Sequence, residues 1–410
     1  MGEAAGVQLA NERPRYAARR EAILTAAGEA LAQEGLAGFT LAAVAKRMGL
    51  HPVSLTYYFK RKEELVSACL LQGADRYDAM LDQAARASSP PERLAAFVRA
   101  FFEVQRRIAL GEEPPLAPLD EVRTLWRANE DPVDMRYQEL RQRIADLLVG
   151  EDRPAPEAWR QRLLSRLILQ QLASTEAWLA DYAVDDYPRV AERVAEIMTF
   201  GLAGPGQRWP QDLALDDNDP TGCELVRERF LIEATDLINR EGWTGASVDR
   251  ISARLKVTKG SFYHHHADKD ELVGACFDRS FAILNGALAR ARAENTGWRR
   301  LFLAAAPLAM SQAHNGRRRI LRRYALRLAP PELRPGLERR IRQTANALAG
   351  LICDGIGDGT LRPVDPTIAA HLILAMINSA VMLDRIPQLT PEVTLYGYVR
   401  PALRGVFSVR

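Results

Sequence analysis

The chain has 410 residues, of which 47% are hydrophobic and 26% are charged, and its formal net charge is +3. This length suits two domains, because a single hydrophobic core stops growing at roughly 250–300 residues. The composition excludes disordered and collagen-like proteins. The small net charge means that any nucleic-acid contact must rely on locally concentrated basic residues.

The four cysteines are Cys69, Cys223, Cys276 and Cys353, and they lack the paired spacings of metal sites or disulfide frameworks. The N-terminal stretch has no apolar signal segment, and no run approaches the roughly 18 apolar residues of a membrane span. We therefore expect a cytoplasmic protein that makes no membrane contact, without a metal or other cofactor.

The chain contains an internal duplication. Residues 20–70 align without a gap on residues 227–277, with 15 identities in 51 positions. The stretch 201–222 between the copies is rich in glycine, proline and acidic residues and has no sustained apolar period. No segment shows the alternation of a strand, so the sequence predicts an all-α fold with two tandem units.

Each copy begins with an amphipathic helix and continues with a shorter one. In the first copy, apolar residues recur every four positions from Ile23. Thr40 and Ser247 occupy the predicted N-cap of the shorter helix. A turn follows at Gly49 in the first copy and at Lys256 in the second, where a left-handed lysine costs about 1 kcal/mol.

A second short helix follows each turn, at 52–59 and at 259–266. Two short helices around a brief turn, preceded by a packing helix, form the helix-turn-helix plan. In that plan the second helix enters the major groove of DNA. The duplicated segment therefore predicts two DNA-reading heads.

These motifs resemble the DNA-binding signature of the TetR family, whose recognition helix reads Lys-Gly-x-x-Tyr-x-His-Phe and is followed by x-x-Lys-Glu-x-Leu. The second copy supplies Lys259, Gly260, Tyr263, His265, Lys269 and Leu272 at those places, and the first supplies Phe59, Lys62, Glu63 and Leu65. The first copy departs from the pattern at Pro52, Val53, Thr56 and Tyr58, and the second at Lys256 and His266. Neither copy is a full match, which leaves open whether both bind DNA.

Phosphate neutralisation and base-edge contact need basic, hydroxyl and aromatic side chains. Segment 12–62 has nine Lys and Arg against four Glu, whereas segment 225–269 has eight against six acidic residues. We expect Phe59 to pack in the core. The predicted DNA-contacting residues are Thr40, His51, Pro52, Val53, Ser54, Thr56, Tyr57, Tyr58 and Lys62 in the first head, and Ser247, Thr258, Lys259, Gly260, Ser261, Tyr263, His264, His265 and Lys269 in the second.

Three other interpretations are weaker. The run 264–266 of histidines does not suit a metal ion, because successive helical residues point about 100° apart. Cys69 and Cys276 could act as redox sensors, but a buried structural role is more typical of cysteine. The basic stretch 316–328 could contact DNA or acidic lipid, but a solvated helix face is the better interpretation.

Long amphipathic helices are predicted after each copy, at 91–108, 159–182, 187–200, 337–356, 366–383 and 391–407. Their layout resembles the ligand-binding and dimerisation region of the TetR family, where the last two helices of two protomers form a four-helix bundle. The predicted division is a helix-turn-helix domain at 12–70, a helical ligand-binding and dimerisation domain at 71–206, a linker at 207–222, a second helix-turn-helix domain at 223–277 and a second helical domain at 278–410.

The resemblance implies a transcriptional regulator, most simply a repressor, that binds a double-stranded DNA operator and is released by a small-molecule effector. The two halves are expected to pair as an intramolecular pseudo-dimer, with a conventional homodimer as the alternative. Because the two recognition helices differ, the expected operator is asymmetric. Candidate effector-binding residues are Phe101, Phe102, Trp126, Trp178, His371, Met376 and Asn378.

Two other functions compete with transcriptional regulation, a helical sensor or scaffold and an enzyme. Degenerate reading heads would leave a helical sensor or scaffold that binds a ligand or protein but not DNA. Catalysis is improbable because the chain has no G-x-S-x-G, H-E-x-x-H or P-loop motif. Steep salt dependence of duplex binding would separate the regulator from the sensor.

Overall fold

The computed structural model describes residues 3–116, 132–150, 157–211, 224–245, 247–265, 268–314, 318–384, 386 and 389–408. These residues form helices and no β-strand, which confirms the predicted all-α fold. The first half contains α1 (Glu3–Gly38), α2 (Leu41–Arg47), α3 (Pro52–Thr56), α4 (Lys62–Ala84), α5 (Pro90–Ala109), α6 (Pro132–Asp146), α7 (Ala158–Ala173) and α8 (Tyr187–Phe200). The second half contains α9 (Glu224–Gly245), α10 (Val248–Leu255), α11 (Lys259–His265), α12 (Lys269–Ala291), α13 (Gly297–Ala313), α14 (Arg334–Gly357), α15 (Pro366–Ser379), α16 (Pro391–Thr394) and α17 (Arg400–Arg404), the last two joined by a π-helical turn at Leu395–Val399.

One compact unit is formed by the described residues of Met1–Asp82 and Glu103–Leu140. It contains the first copy of the duplicated segment, with α4 running on from it. The guanidinium of Arg136 on α6 donates to Asp75 at 3.0 Å and also to Asp78, both on α4. These bonds fix α6 against α4, the helix that continues from the first copy.

A second compact unit is formed by the described residues of Gln83–Phe102 and Arg141–Arg410. It contains the second copy together with the last helices of both halves. In it, α15 packs against α7 and α8, and α17 packs against α8. The side-chain amide of Gln171 on α7 donates to the carbonyl of Leu372 on α15 at 3.4 Å. The last helices of the two halves therefore pack against each other within one chain.

The ends of α8 and α17 approach each other so closely that only glycine fits. Gly201 follows α8 at φ 70 and ψ −160, and Gly405 follows α17 at φ 88 and ψ 149. A Cβ atom on Gly201 would lie 2.0 Å from the carbonyl carbon of Arg404, and one on Gly405 would lie 2.5 Å from that of Phe200. Both the backbone angles and the contact exclude a side chain.

Backbone hydrogen bonds reinforce this glycine crossing from both sides. The Leu202 N–H donates to the Leu403 carbonyl at 2.8 Å, and the Val406 N–H donates to the Met198 carbonyl at 2.9 Å. The Arg362 guanidinium also donates to the carbonyl of Gly201 at 2.8 Å. Each half thus uses the chain after its last helix to bind the last helix of the other half.

Two predicted helices are shorter than expected. The helix predicted at 159–182 ends at Ala173 and gives way to 3-10 turns, and the one predicted at 366–383 ends at Ser379. Hydroxyl side chains bond back to carbonyls at these ends: Ser174 to Gln171 at 2.7 Å and Ser379 to Ala375 at 2.6 Å. Such local bonds bend or end a helix although the apolar period continues.

The prediction of a solvated helix at 316–328 is wrong. Of its described residues, 318–322 lie outside any helix, and Arg323–Leu328 forms a 3-10 turn. Arg319 and Arg322 are only 3% and 4% exposed. The Asn239 amide on α9 accepts a hydrogen bond from the backbone N–H of Arg322 at 3.0 Å. Partners distant in the sequence therefore hold this segment inside the protein.

Two helices are long and apolar enough to satisfy a simple length-and-composition test for a membrane span, Lys269–Ala291 and Pro366–Leu383. More than half of each apolar window is buried within the protein. This is weak evidence for a membrane, because core helices of soluble proteins have the same properties.

Candidate DNA-binding sites

The first reading head is built on a buried apolar core. Thr40 begins α2, and its Oγ1 accepts a hydrogen bond from the Ala43 N–H at 3.0 Å, as the sequence predicted. The turn to α3 uses Gly49 at φ 64. On the inner side, Leu55 is fully buried and Phe59 is 4% exposed, which confirms the predicted core position of Phe59.

The outer face of α3 is open to solvent. Val53 is 68% exposed and Tyr57 is 74% exposed. His51 begins the helix with its Nδ1 accepting the Val53 N–H at 3.4 Å, and the Thr56 hydroxyl donates to the Val53 carbonyl at 2.8 Å. Tyr58 is half-buried, with its ring 5.3 Å from that of Tyr57. Pro52 and Ser54, also predicted as contacts, are exposed.

The second reading head repeats this plan. Ser247 begins α10 as predicted, with its Oγ accepting the Arg250 N–H at 3.3 Å. Phe262 is fully buried and Tyr263 is 57% exposed. At the aligned positions of the first head, Leu55 is buried and Thr56 is exposed, so corresponding residues face the same way in both heads.

The turn before α11 contains a left-handed lysine. Lys256 has φ 56 and ψ 41, the left-handed conformation whose cost the sequence analysis considered. Thr258 begins α11, and its Oγ1 accepts the Ser261 N–H at 3.3 Å. The Lys259 ammonium lies 2.5 Å from the Asp249 carboxylate, with both side chains more than half exposed. A phosphate that binds Lys259 must therefore compete with this carboxylate.

The remaining predicted contacts differ in exposure. Gly260 and His264 are exposed, whereas Lys62 and Lys269 are half-buried. Burial lowers the pKa of Lys269, and neighbouring Asp270 opposes that shift. For His265 the structure describes the backbone within α11, and His266 lies outside the described residues. The described residues contain no group of three or more metal-ligating side chains.

Sequence reasoning missed Tyr16, which precedes the duplicated segment. Its ring stacks on Tyr58 with centroids 4.9 Å apart and planes 26° apart, and it lies 6.1 Å from Tyr57. Tyr16 is 41% exposed. No motif indicates this residue, because its position beside α3 depends on how α1 packs.

The two duplicated cysteines are buried. The Cys69 thiol donates to the Leu24 carbonyl and the Cys276 thiol to the Leu231 carbonyl, each at 3.7 Å. Burial raises the pKa of both thiols to about 12. These features oppose a redox-sensing role, because the thiolate is the reactive form.

Thiol labelling should distinguish these cysteines from Cys353, which is exposed. In a Cys223→Ser variant, which removes the cysteine outside the described residues, we expect one reactive thiol in native protein at pH 8 and three after denaturation. A chromogenic disulfide reagent counts them. Rapid native labelling of Cys69 or Cys276 would contradict the structural role.

The six predicted effector-binding residues that the structure describes divide into two groups. Phe101 and Phe102 are each 1% exposed and pack edge to face, with centroids 5.9 Å apart, and Met376 is fully buried. These three side chains are part of the hydrophobic core. Trp126 lies outside the described residues.

The other three predicted residues gather into one polar cluster. The Trp178 ring stacks on the His371 ring at 4.9 Å with planes 3° apart. Asn378 accepts the backbone N–H of Arg323 at 3.1 Å, and the Arg323 guanidinium donates to the Ala177 carbonyl at 2.5 Å. The Trp178 Nε1 is buried without a hydrogen-bond partner among the described residues. Segments of both halves meet in this cluster.

His371 should make stability depend on acid pH. Burial, reinforced by the Arg323 charge, lowers its pKa from 6.5 to about 4, although Asp181 and Asp365 oppose the shift. Between pH 6.5 and about pH 4, His371 is protonated in the unfolded chain but stays neutral in the folded chain. Stability should therefore fall across that window by about 3 kcal/mol from this residue.

Urea unfolding of wild type and of His371→Phe, which keeps an aromatic ring beside Trp178, should reveal this contribution. The difference in unfolding free energy between pH 7 and pH 4.5 should be smaller in the variant. Equal pH dependence in the two proteins would show that His371 is not held neutral.

Comparison with known proteins places these two heads in one family. The model of the tetR family of bacterial regulatory proteins matches the chain twice, at residues 23–69 and 231–276. The HTH-type transcriptional repressor Rv3405c of Mycobacterium tuberculosis is 44% identical over 59 residues, which are 14% of this chain and 31% of that protein. The TetC protein of transposon Tn10 from Escherichia coli is 32% identical over 62 residues, 15% of this chain and 32% of that protein. BetI of Rhizobium meliloti is 32% identical over 90 residues, 22% of this chain and 44% of that regulator.

The fold and the matched heads define an all-α protein with two helix-turn-helix heads. In both heads the chain is similar to the tetR family of bacterial regulatory proteins, whose model matches two tandem segments of it. It spans about a third of the length of the first relatives that it matches. The names of the family and of these relatives indicate regulation and not catalysis.

Proposed function

We propose that this chain is a sequence-specific transcriptional regulator, a repressor, that binds a double-stranded DNA operator with two unlike reading heads. One observation carries the proposal: both heads bury one side of a short recognition helix and expose hydrogen-bonding residues on the other. Tyr57 is 74% exposed in the first head, and Tyr263 is 57% exposed in the second. Exposed aromatic and hydroxyl groups there suit phosphate and base-edge contacts.

The two halves are proposed to act as an intramolecular pseudo-dimer. The packing of α7 and α8 on α15 and α17 supports this arrangement, because a surface covered within the chain does not need a second chain. The Arg193 guanidinium on α8 also binds the Asp365 carboxylate that begins α15. The unlike recognition helices would then read an asymmetric operator.

An effector is proposed to act at the cluster of Trp178, His371 and Asn378. The cluster contains segments of both halves, so a ligand there would change how the halves pack. The buried, unpartnered Trp178 Nε1 offers such a ligand a hydrogen-bond donor. A regulator of this kind is proposed to work in the cytoplasm, where chromosomal DNA is accessible.

Selection of bound duplexes from random DNA by the full chain tests DNA recognition, and mass determination in solution tests the pseudo-dimer. We expect an asymmetric site, bound by a monomer. Tyr57→Ala and Tyr263→Ala should each weaken binding by about tenfold or more, whereas Tyr396→Ala, a half-buried tyrosine outside the heads, should not.

Other outcomes would change the proposal in defined ways. A perfect inverted repeat bound by two chains would replace the pseudo-dimer with a homodimer. No enrichment of any duplex, with binding of a ligand or protein instead, would favour the sensor without DNA-binding activity.

A further inference from the structure

We propose that the N-terminal part of α1 adds a second phosphate-contacting surface to the first reading head, formed by Arg15, Tyr16 and Arg19. At the three aligned positions the second copy has no charged or aromatic residue. The inference rests on the proposed DNA-binding function and extends it to residues outside the helix-turn-helix motif.

The geometry joins this surface to the recognition helix. Tyr16 stacks on Tyr58 at 4.9 Å and meets Tyr57 edge to face at 6.1 Å, so three phenol rings form one cluster at the end of α3. The Arg20 guanidinium lies 5.2 Å from the centre of the Phe59 ring. These contacts hold α1 beside α3, so a duplex on Tyr57 comes close to Tyr16.

The charge of this surface fits the DNA backbone. Arg15, Tyr16 and Arg19 are all exposed, and Arg15 and Arg19 lie on one helix face because they are four residues apart. Segment 13–20 contains four arginines and no acidic residue. Guanidinium and phenol groups both donate hydrogen bonds to phosphate oxygens, which makes a nucleic-acid backbone the partner that this surface suits.

The aligned residues of the second copy cannot form such a surface. Arg15, Tyr16 and Arg19 align with Gly222, Cys223 and Val226, none of which is charged or aromatic. The first head has the weaker family motif in α3, with Pro52 and Val53 where the second has Lys259 and Gly260. The additional contacts from α1 therefore compensate for the phosphate-binding residues that α3 lacks.

Duplex affinity of the full chain, measured by fluorescence anisotropy over a salt series, tests this surface. Tyr16→Phe keeps the stacked ring and removes only the hydroxyl, and it should weaken binding about tenfold. The double variant Arg15→Ala/Arg19→Ala should reduce the slope of log affinity against log salt by about 2. A matched control, Arg99→Ala/Arg189→Ala, removes two exposed arginines from α5 and α8 and should leave the slope unchanged.

The outcomes separate this inference from the proposed function. If Tyr57→Ala weakens binding but Tyr16→Phe and the arginine pair do not, the α1 surface is overturned while the regulator stands. A slope change equal to that of the control would also overturn it, because net charge alone would explain the effect. If wild type binds no duplex, the proposed function fails and this surface fails with it.

Discussion

Gly201→Ala is expected to destabilise the folded chain by about 3 kcal/mol or more. The Cβ atom would lie 2.0 Å from the carbonyl carbon of Arg404, and a side chain at φ 70 and ψ −160 is strained as well. Backbone strain and overpacking each cost roughly 1–3 kcal/mol. The colliding atom belongs to backbone, so no side chain can rotate away to relieve it.

Gly206→Ala provides a matched control. Gly206 also has a positive φ, 72, but a Cβ atom there would have nothing within 4 Å. Its cost should be limited to backbone strain of about 1 kcal/mol. Urea unfolding followed by far-ultraviolet circular dichroism compares the two variants. Equal losses of unfolding free energy would show that the close contact between Gly201 and Arg404 does not add to the cost of a side chain.

Gly405→Ala should resemble Gly201→Ala, because its Cβ would meet Phe200 from the other side of the same crossing. Because the crossing joins the last helices of the two halves, either variant should also expose new protease sites in both halves. This result would show that the halves stabilise each other, which is what a single-chain pseudo-dimer requires.

The reading heads were largely predictable from the sequence. Their helices depend on local signals: an apolar stripe every four residues, the N-caps Thr40 and Ser247, and a turn at Gly49 or Lys256. The duplication presents each signal twice, which removes most of the ambiguity of a single short motif. Alignment with a turn glycine also raised the possibility of a left-handed lysine at position 256, which the structure shows.

Features that depend on tertiary packing were not predictable. The basic stretch 316–328 has the pattern of a surface helix, yet Arg319 and Arg322 are buried by partners on distant helices. The glycine crossing has no motif because Gly201 and Gly405 differ from other loop glycines only in what they contact. Tyr16 similarly acquires its position only when α1 folds beside α3.

Asp236→Asn is expected to destabilise the second half of the chain by about 3–5 kcal/mol. The Asp236 carboxylate on α9 binds three arginines: Arg240 at 2.9 Å, Arg254 at 3.1 Å and the buried Arg319. An amide of the same size removes the charge without leaving a cavity. Arg319 is only 3% exposed, so its charge would lose its closest partner away from water.

A surface aspartate serves as the control. Asp278 pairs with Arg340, and their side chains are 70% and 39% exposed. Because solvent screens such a pair, Asp278→Asn should cost less than about 1 kcal/mol. Chemical denaturation measures the unfolding free energy of both variants. Similar losses would show that burial of the Asp236 ion pairs does not increase their contribution to stability.

The double variant Asp236→Asn/Arg319→Met tests whether the loss comes from an unpaired charge. Removing the buried guanidinium as well should make the double variant more stable than the sum of the single effects predicts. Arg254 belongs to α10, so Asp236 also connects the second head to the segment around Arg319. Asp236→Asn should therefore weaken binding at the half-site of the second head more than at that of the first, whereas equal weakening at both would indicate general unfolding.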